Sequence, residues 1–343
     1  MEKKDFQTIE SIGRPALIEK LGKKLTSKND EVIKGIGDDA AVVKKDTAHY
    51  TLLTSETFME GVDFDLTYMP LHHLGYKVIS ALVSDIYAMN GTPQSAQINL
   101  AVPNKISVEM LEQVYEGLNA AAKDYELQII GGDLTASHQT LAISVSGTGI
   151  VKNDIIAYRK GAKPGDAVCV SGDLGGAIAG LRILMREKQF WQESNQQAFQ
   201  PELDEYEYVV KRQLVPIARK EIVQYFHEQN IVPTSMIDIT QGLVSECRSL
   251  ASVSGCGLQI YQAALPIALE TRNVADEMKE DVDKYALYGG EDLELMFTLA
   301  KGTAESFIKD LKDVTVIGQV TDASEGLKMQ TAEGDTVSFG ETN

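Results

Sequence analysis

Acidic residues recur in this chain within or beside turns rich in glycine and small polar residues. They read Gly35-Ile-Gly-Asp-Asp39, Thr54-Ser-Glu-Thr57, Ser84-Asp85, Gly131-Gly-Asp133, Asp238-Ile-Thr-Gln-Gly242 and Gly289-Gly-Glu-Asp292. Carboxylates on bare-backbone turns at the ends of apolar runs can gather hard divalent cations around a polyphosphate. One such turn reads as a surface loop; six spread through one chain point to convergence. The bland reading still covers most of the 50 acids, which are solvated helix surface in stretches such as Glu202 to Glu207 and Asp276 to Lys284.

The elements around these turns divide in two. Apolar spacing predicts helices over Arg14–Leu25, Leu71–Met89 (stopped by Asn90-Gly91) and Ser107–Tyr125, and strands over Tyr50–Thr54, Gln97–Val102, Leu127–Ile130 and Leu141–Val151. The Leu127–Ile130 strand is expected to be short and buried, running straight into Gly131-Gly-Asp133. Gly161, Pro164 and Gly165 mark a boundary near Arg159 to Asp166, after which the pattern restarts. Strands follow at Ala167–Val170, Ser235–Ile239, Gly257–Tyr261, Leu293–Leu299 and Val314–Val320, with helices at Gly172–Met185, Pro216–Gln229 and Leu243–Ser254. Residues 188–207 read as a polar insertion or mobile loop. The mixture is an α/β (α+β) fold in two domains, residues 1–155 and 160–343.

Composition narrows the partners. With 32 basic and 50 acidic residues the formal charge is −18, which argues against nucleic acid or anionic membrane as a nonspecific partner. No stretch approaches the ~18 apolar residues of a membrane span. The start of the chain has no apolar run of the signal-peptide kind. Cys169, Cys247 and Cys256 form no CxxC pair and read as buried, reduced thiols in a cytoplasmic protein.

Other chemistries fit poorly. Nothing matches GxxxxGK[ST], a dinucleotide-binding G-x-G-x-x-G or a G-x-S-x-G elbow. His72 and His73 sit inside a helix without a second ligand pair and read as core or surface. Ser171-Gly-Asp-Leu-Gly-Gly-Ala177 could present backbone N–H groups to an anion, or could equally be a tight strand-to-helix turn.

The order of several longer segments carries a resemblance. Gly35-Ile-Gly-Asp-Asp-Ala-Ala-Val-Val43, Met59-Glu-Gly-Val62, Ser84-Asp-Ile-Tyr-Ala-Met-Asn90, Gly131-Gly-Asp133, Arg159-Lys-Gly-Ala-Lys-Pro-Gly-Asp166, Ser171-Gly-Asp-Leu-Gly175, Met236-Ile-Asp-Ile239 and Gly289-Gly-Glu-Asp292 occur in one order. Over nearly the whole chain, about residue 6 to 320, this resembles the thiamine-monophosphate kinase family of the aminoimidazole ribonucleotide synthetase-like superfamily. The resemblance implies an N-terminal domain (1–155) that binds ATP and metal and forms a β-barrel shared by two subunits, beside a C-terminal α/β domain. It implies transfer of the γ-phosphoryl of ATP to thiamine monophosphate, aided by several Mg2+ ions, in a cytoplasmic homodimer.

Carried over by position, the resemblance makes Asp39, Thr54, Ser55, Glu56, Asp85, Asp133, Asp238 and Gln241 metal positions. Gly132, Asp133, Arg159 and Thr240 match ATP positions, and Asp63, Glu291 and Phe339 match substrate positions. No residue is implied as acid or base, because attacking and leaving oxygens both belong to phosphates. Asp38 could instead orient its turn, and Asp292 reads as structural. The chain departs from the family pattern at the site itself: Glu56 for Asp, Asp63 for His, Gln241 for an acid, Leu134 for Thr, and Phe339 where another aromatic is usual. Two readings follow. One is a working kinase with altered metal shells. The other is a paralogue of the same fold that uses another phosphorylated substrate or has a non-catalytic binding role.

Overall fold

A computed structural model describes residues 8–25, 29–194 and 198–339. Within it, β1 (Val32–Lys34), β2 (Ala41–Lys44), β3 (His49–Met59), β4 (Thr92–Pro103), β5 (Gln128–Ser137) and β6 (Ala142–Lys152) form one sheet in the order β1-β2-β3-β6-β4-β5. All neighbours are antiparallel except β4 and β5. A second sheet holds β7 (Asp166–Ser171), β8 (Ser235–Ile239), β9 (Gly257–Tyr261), β10 (Glu294–Ala300), β11 (Val314–Thr321), β12 (Leu327–Gln330) and β13 (Thr336–Ser338), in the order β13-β12-β9-β11-β7-β10-β8. The first sheet is open, with β1 and β5 at its edges, so the expected barrel is not closed within one chain.

Alternation sets the faces of the first sheet. On β3, Leu52 and Phe58 are buried with Thr54 and Glu56 between them on the same side, while Leu53, Ser55, Thr57 and Met59 are exposed on the other, as period-2 geometry requires. The strands β7 and β8 are buried at every position, because both faces of the second sheet are covered there.

Between the sheets lies the helix Leu71–Ala88, with fourteen of its residues buried. A helix apolar all round belongs in a core. It packs on the helix Val108–Asp124 on one side and reaches β8 on the other. Its neighbour begins where Ser107 Oγ accepts from Met110 N–H (3.3 Å), the expected N-cap.

Three sequence expectations are corrected. The strand expected at Leu127–Ile130 runs from Gln128 to Ser137 as a mostly exposed edge. The helix after β7 spans Gly176–Glu193 and absorbs the start of the polar segment 188–207, where Lys188 pairs with Asp65. A further helix, Glu207–Leu214, ends that segment; residues 195–197 lie outside the described ones. The helix expected from Pro216 starts at Lys220, because Ala218 donates its N–H to Tyr125 Oη (2.9 Å) instead.

Candidate active site

Four elements meet at one point. The loop before β2 brings Asp39, β3 brings Thr54, the last turns of the helix Leu71–Ala88 bring Asp85, and β8 brings Asp238. Carboxylate oxygens of Asp39, Asp85 and Asp238 all lie within 4.8 Å of one another. Asp85 is 8% and Asp238 2% exposed. Three buried acids share one direct guanidinium: Arg159 donates to Asp39, and its other nitrogen to Ser249 Oγ (2.9 Å). Ser84 Oγ donates to Asp238 (2.6 Å) and Thr54 Oγ1 to Asp85. Asp39 Oδ2 is buried with no hydrogen-bond partner among the described residues.

Like charges at this spacing repel by about 4 kcal/mol at an effective dielectric of roughly 20. Burial adds to this repulsion, and together they disfavour the ionised acids. Burial, with repulsion from Asp238 and Asp38 added, pushes Asp39 up to about 8 against the relief Arg159 gives. Burial pushes Asp238 up to about 7 against the Ser84 bond. Asp85 is held well above the carboxylate range by burial and then by Asp238, Glu56 and Asp39. Glu56 is raised by burial, with Asp63 adding repulsion and Arg14 opposing it.

A cavity of about 1190 Å³ opens over the cluster, lined among others by Thr54, Ser55, Arg159, Thr240, Gln241 and Arg14. The turn carrying Thr240 and Gln241 is held from behind. Gly289-Gly-Glu-Asp292 lies against it, with Glu291 N–H donating to Thr240 O (3.0 Å) and Leu293 N–H to Ile239 O (3.1 Å). A Cβ on Gly290 would sit 2.5 Å from Thr240 O, so no other residue fits that approach. Glu246, from the helix Leu243–Ser254, accepts the Gln241 N–H (3.0 Å), and burial pushes its carboxyl up to about 7.

Thus Asp39, Thr54, Glu56, Asp85 and Asp238 gather, and Ser55, Arg159, Thr240 and Gln241 line the same cavity. Other expected residues fall elsewhere. Gly132 and Asp133 are exposed on the edge strand β5. Gly131-Gly-Asp133 is no turn: the β4–β5 register shifts at Ile130, a bulge that leaves Ile130 lining the cavity. Gly132 is required because a Cβ there would sit 1.8 Å from Ile98 O. Asp63 accepts from Met59 N–H (2.8 Å). Glu291 is paired to Lys77. Phe339, expected at the substrate, is instead packed in the second sheet's core, with Leu327 and Met329 among the side chains there.

Asp38 orients its loop by accepting the N–H of Arg159 (3.0 Å). The Ser171–Ala177 segment is a strand-to-helix turn whose free N–H groups at Gly175 (2.8 Å) and Ala177 (3.1 Å) are taken by the buried Asp292 carboxylate. Sequence reasoning missed Glu246, Arg14 and Lys77 as site neighbours. Glu246 had a signal, an acid just inside a helix start that reaches back to the backbone before it, as in a capping box. Lys77 had one too, the lone lysine of an apolar helix.

The fold and the acid cluster between its sheets define a class: the AIR synthase related proteins, whose N-terminal domain matches residues 37–151 and C-terminal domain residues 163–329. Within that class the chain belongs to the thiamine-monophosphate kinase family. It is 34% identical to the thiamine-monophosphate kinase of Aquifex aeolicus, over 91% of this chain and 92% of that one. To the Bacillus subtilis enzyme it is 32% identical, over 80% of each. The solved structure of AaThiL complexed with AMPPCP and TMP superposes with a TM-score of 0.82 at 31% identity, covering 97% of both chains. Hydrogenase maturation protein HypE in complex with ATP shares the fold alone, at TM-score 0.67 and 19% identity.

Proposed function

We propose that this protein transfers the γ-phosphoryl group of ATP to the phosphate of thiamine monophosphate, giving thiamine diphosphate and ADP. The observation that carries the reading is the buried Asp39–Asp85–Asp238 cluster beneath a cavity of about 1190 Å³. A relative of the same fold holds AMPPCP and TMP.

The cluster fits divalent cations. Among the described residues the three acids share one arginine and an Asp39 oxygen has no partner, and all donors are hard oxygens of the kind Mg2+ takes. Asp39, Asp85 and Asp238 would hold Mg2+, with Thr54, Glu56 and Gln241 beside them and Ser55 at the cavity wall. When bound, the ions would offset the charge of ATP and acceptor phosphates and bring them in line. An oxygen of the acceptor phosphate forms the new P–O bond as the bond from the γ-phosphorus to the β,γ-bridging oxygen breaks, and ADP leaves with that pair. No side chain need remove a proton. What the chain supplies is position and field: Arg159 offers a fixed cation, and the Thr240–Gln241 turn, braced by Glu246 and the Gly289–Asp292 loop, offers backbone and hydroxyl contacts. Asp63 and Glu291 are assigned to the cationic thiamine moiety.

The same reading includes a homodimer. The edge strand β5 carries exposed Ile130 (61%) and Leu134 (64%), and a second copy seated there would cover them and bring the Gly132–Asp133 stretch into contact with a neighbour. Cytoplasmic placement is supported by three free, buried cysteines. Among the described residues no helix is long and apolar enough to cross a membrane.

The altered positions Glu56, Asp63 and Gln241 favour a second reading, the same chemistry on another phosphorylated acceptor. One experiment separates them. Incubation with ATP, Mg2+ and thiamine monophosphate, followed by chromatography, yields thiamine diphosphate under the first reading. ATP binding without that product supports the second.

A further inference from the structure

The helix Leu71–Ala88 is apolar apart from a few residues, and Lys77 is among the exceptions. It is 2% exposed, a poor place for an ammonium unless it is paired. Its Nζ donates to Gln213 O (3.1 Å) and to the carboxylate of Glu291. Gln213 Nε2 approaches the same carboxylate oxygen, Oε2, at 3.4 Å. Both donors thus meet one oxygen, and among the described residues no hydrogen bond is made to Oε1. Glu291 is 36% exposed at its side chain, so its carboxylate is not sealed in the core.

The backbone around Glu291 is fixed in a costly shape. Glu291 (φ 67°) and Leu293 (φ 53°) are both in the left-handed region, which side chains with a Cβ disfavour. Such strain persists where the surroundings over-determine it, and it concentrates at ligand clamps. Here the two N–H groups are tied to Thr240 O and Ile239 O, and Asp292 between them is tied to the helix Gly176–Glu193. Across the seam stands Tyr68, half-buried, whose phenol is pushed up to about 12 by burial and then by Asp65 and Glu291. An aromatic ring beside fixed carboxylates suits a planar cation.

We propose that Lys77 is a positioning residue for Glu291: it reaches across the seam between the two sheets, holds Oε2, and so presents Oε1 to the cationic ring of the phosphate acceptor. The proposal rests on the assignment of Glu291 to that acceptor. A lysine serving only the core would do as well replaced by an apolar side chain of its length. One that positions Glu291 would not.

The test is steady-state kinetics of full-length Lys77→Met, Glu291→Gln and the double variant, varying thiamine monophosphate at saturating ATP and the reverse. Lys77→Met is expected to raise KM for thiamine monophosphate about tenfold, with kcat and KM for ATP within about twofold. The double variant is expected to be no worse than Glu291→Gln, because the two act as one unit. A raised KM in Glu291→Gln with an unchanged KM in Lys77→Met overturns the proposal and leaves the reading of Glu291 standing. An unchanged KM in Glu291→Gln defeats that reading, and the proposal with it. If the wild type makes no thiamine diphosphate, calorimetric binding of thiamine monophosphate to the same set decides by the same contrasts. If Lys77→Met does not fold, Lys77→Arg keeps a cation at the seam but shifts its donors; a raised KM at an unchanged melting temperature upholds the proposal, and an unchanged KM overturns it.

Discussion

Two groups of carboxylates are buried in this protein, and the fold treats them in opposite ways. Glu294 and Asp292 are fully buried, yet each is well supplied with donors. Glu294 takes Arg219 Nη2 (2.7 Å), Arg212 Nη1 (2.9 Å) and Ser171 Oγ (2.7 Å); Asp292 takes two backbone N–H groups. Asp39, Asp85 and Asp238 lie close together and, among the described residues, share a single guanidinium, with one oxygen left unpartnered. Burial of an acid is therefore no mark of function in itself. The mark is burial without the counter-charge, which leaves a place that a cation completes.

Substitution tests this contrast from both sides. Asp85→Asn should cut turnover by at least about a thousandfold, roughly 4 kcal/mol of transition-state stabilisation. In metal-free buffer it should leave the melting temperature unchanged or higher, because a buried carboxyl that is costly to ionise is replaced by a neutral amide. Undiminished activity would remove Asp85 from the metal site. Glu294→Gln should do the reverse. It strands Arg212 and Arg219 around a neutral group and should cost about 3–5 kcal/mol in urea unfolding, with turnover per folded molecule near that of the wild type. If Asp85→Asn destabilised the fold as much as Glu294→Gln, the distinction between the two groups would fail.

The pH dependence sharpens it further. The folded-state values of Asp39 (about 8) and Asp238 (about 7) lie above the unfolded one. Between about pH 4 and 8 the native chain then holds more protons at these sites than the unfolded chain does. Stability is fullest below the unfolded value and is lost as pH rises through the folded values. Without divalent cation, unfolding free energy should fall across that window, by on the order of 2 kcal/mol more in the wild type than in Asp39→Asn. Added Mg2+ should flatten the difference, since it stabilises the ionised acids. Equal slopes in the two proteins would mean that Asp39 is not protonated in the native state.

How much of this was legible beforehand depended on whether a local signal matched a local cause. The bounds of β8, of the helix Leu243–Ser254 and of β9 agree with those read from the sequence, because Gly242 and Gly255 punctuate that stretch at backbone positions of positive φ. Asp39, Asp85 and Asp238 were named from their motifs, but nothing local says that residues 46 and 153 positions apart meet; the central helix brings them together. The β5 edge was misread because Gly131-Gly132 looks like a turn, whereas the strand runs on past a bulge at Ile130 and Gly132 is needed where it passes close to Ile98 on β4. Phe339 was placed at the substrate by analogy of position, and an apolar side chain near the end of a chain carries no local sign that it belongs to a core. Lys77 and Glu246 were passed over because charged residues on helices are usually solvated, and only tertiary packing showed these two to be buried.

The smallest effect expected is at Gln241, and it asks whether the unmet charge of the cluster is complete. The side chain stands at the cavity in a turn braced by Glu246 and the Gly289–Asp292 loop, so a substitution there need not move the backbone. Gln241→Asp keeps an oxygen donor and adds a charge to a region where Asp39, Asp238 and Glu246 are already hard to ionise. Alone, that charge should be unfavourable, and the metal-free protein should lose a little stability at neutral pH. With Mg2+ present the sign should reverse: the added carboxylate offers another hard ligand, and half-saturating Mg2+ should fall about three- to tenfold, a gain of roughly 1 kcal/mol. Activity titrated against Mg2+ at fixed ATP reads this directly. A fall in Mg2+ requirement would mean that the glutamine trades metal affinity for a cluster more stable when empty. No change in either quantity would place Gln241 outside the metal's reach and confine the cation site to Asp39, Asp85 and Asp238.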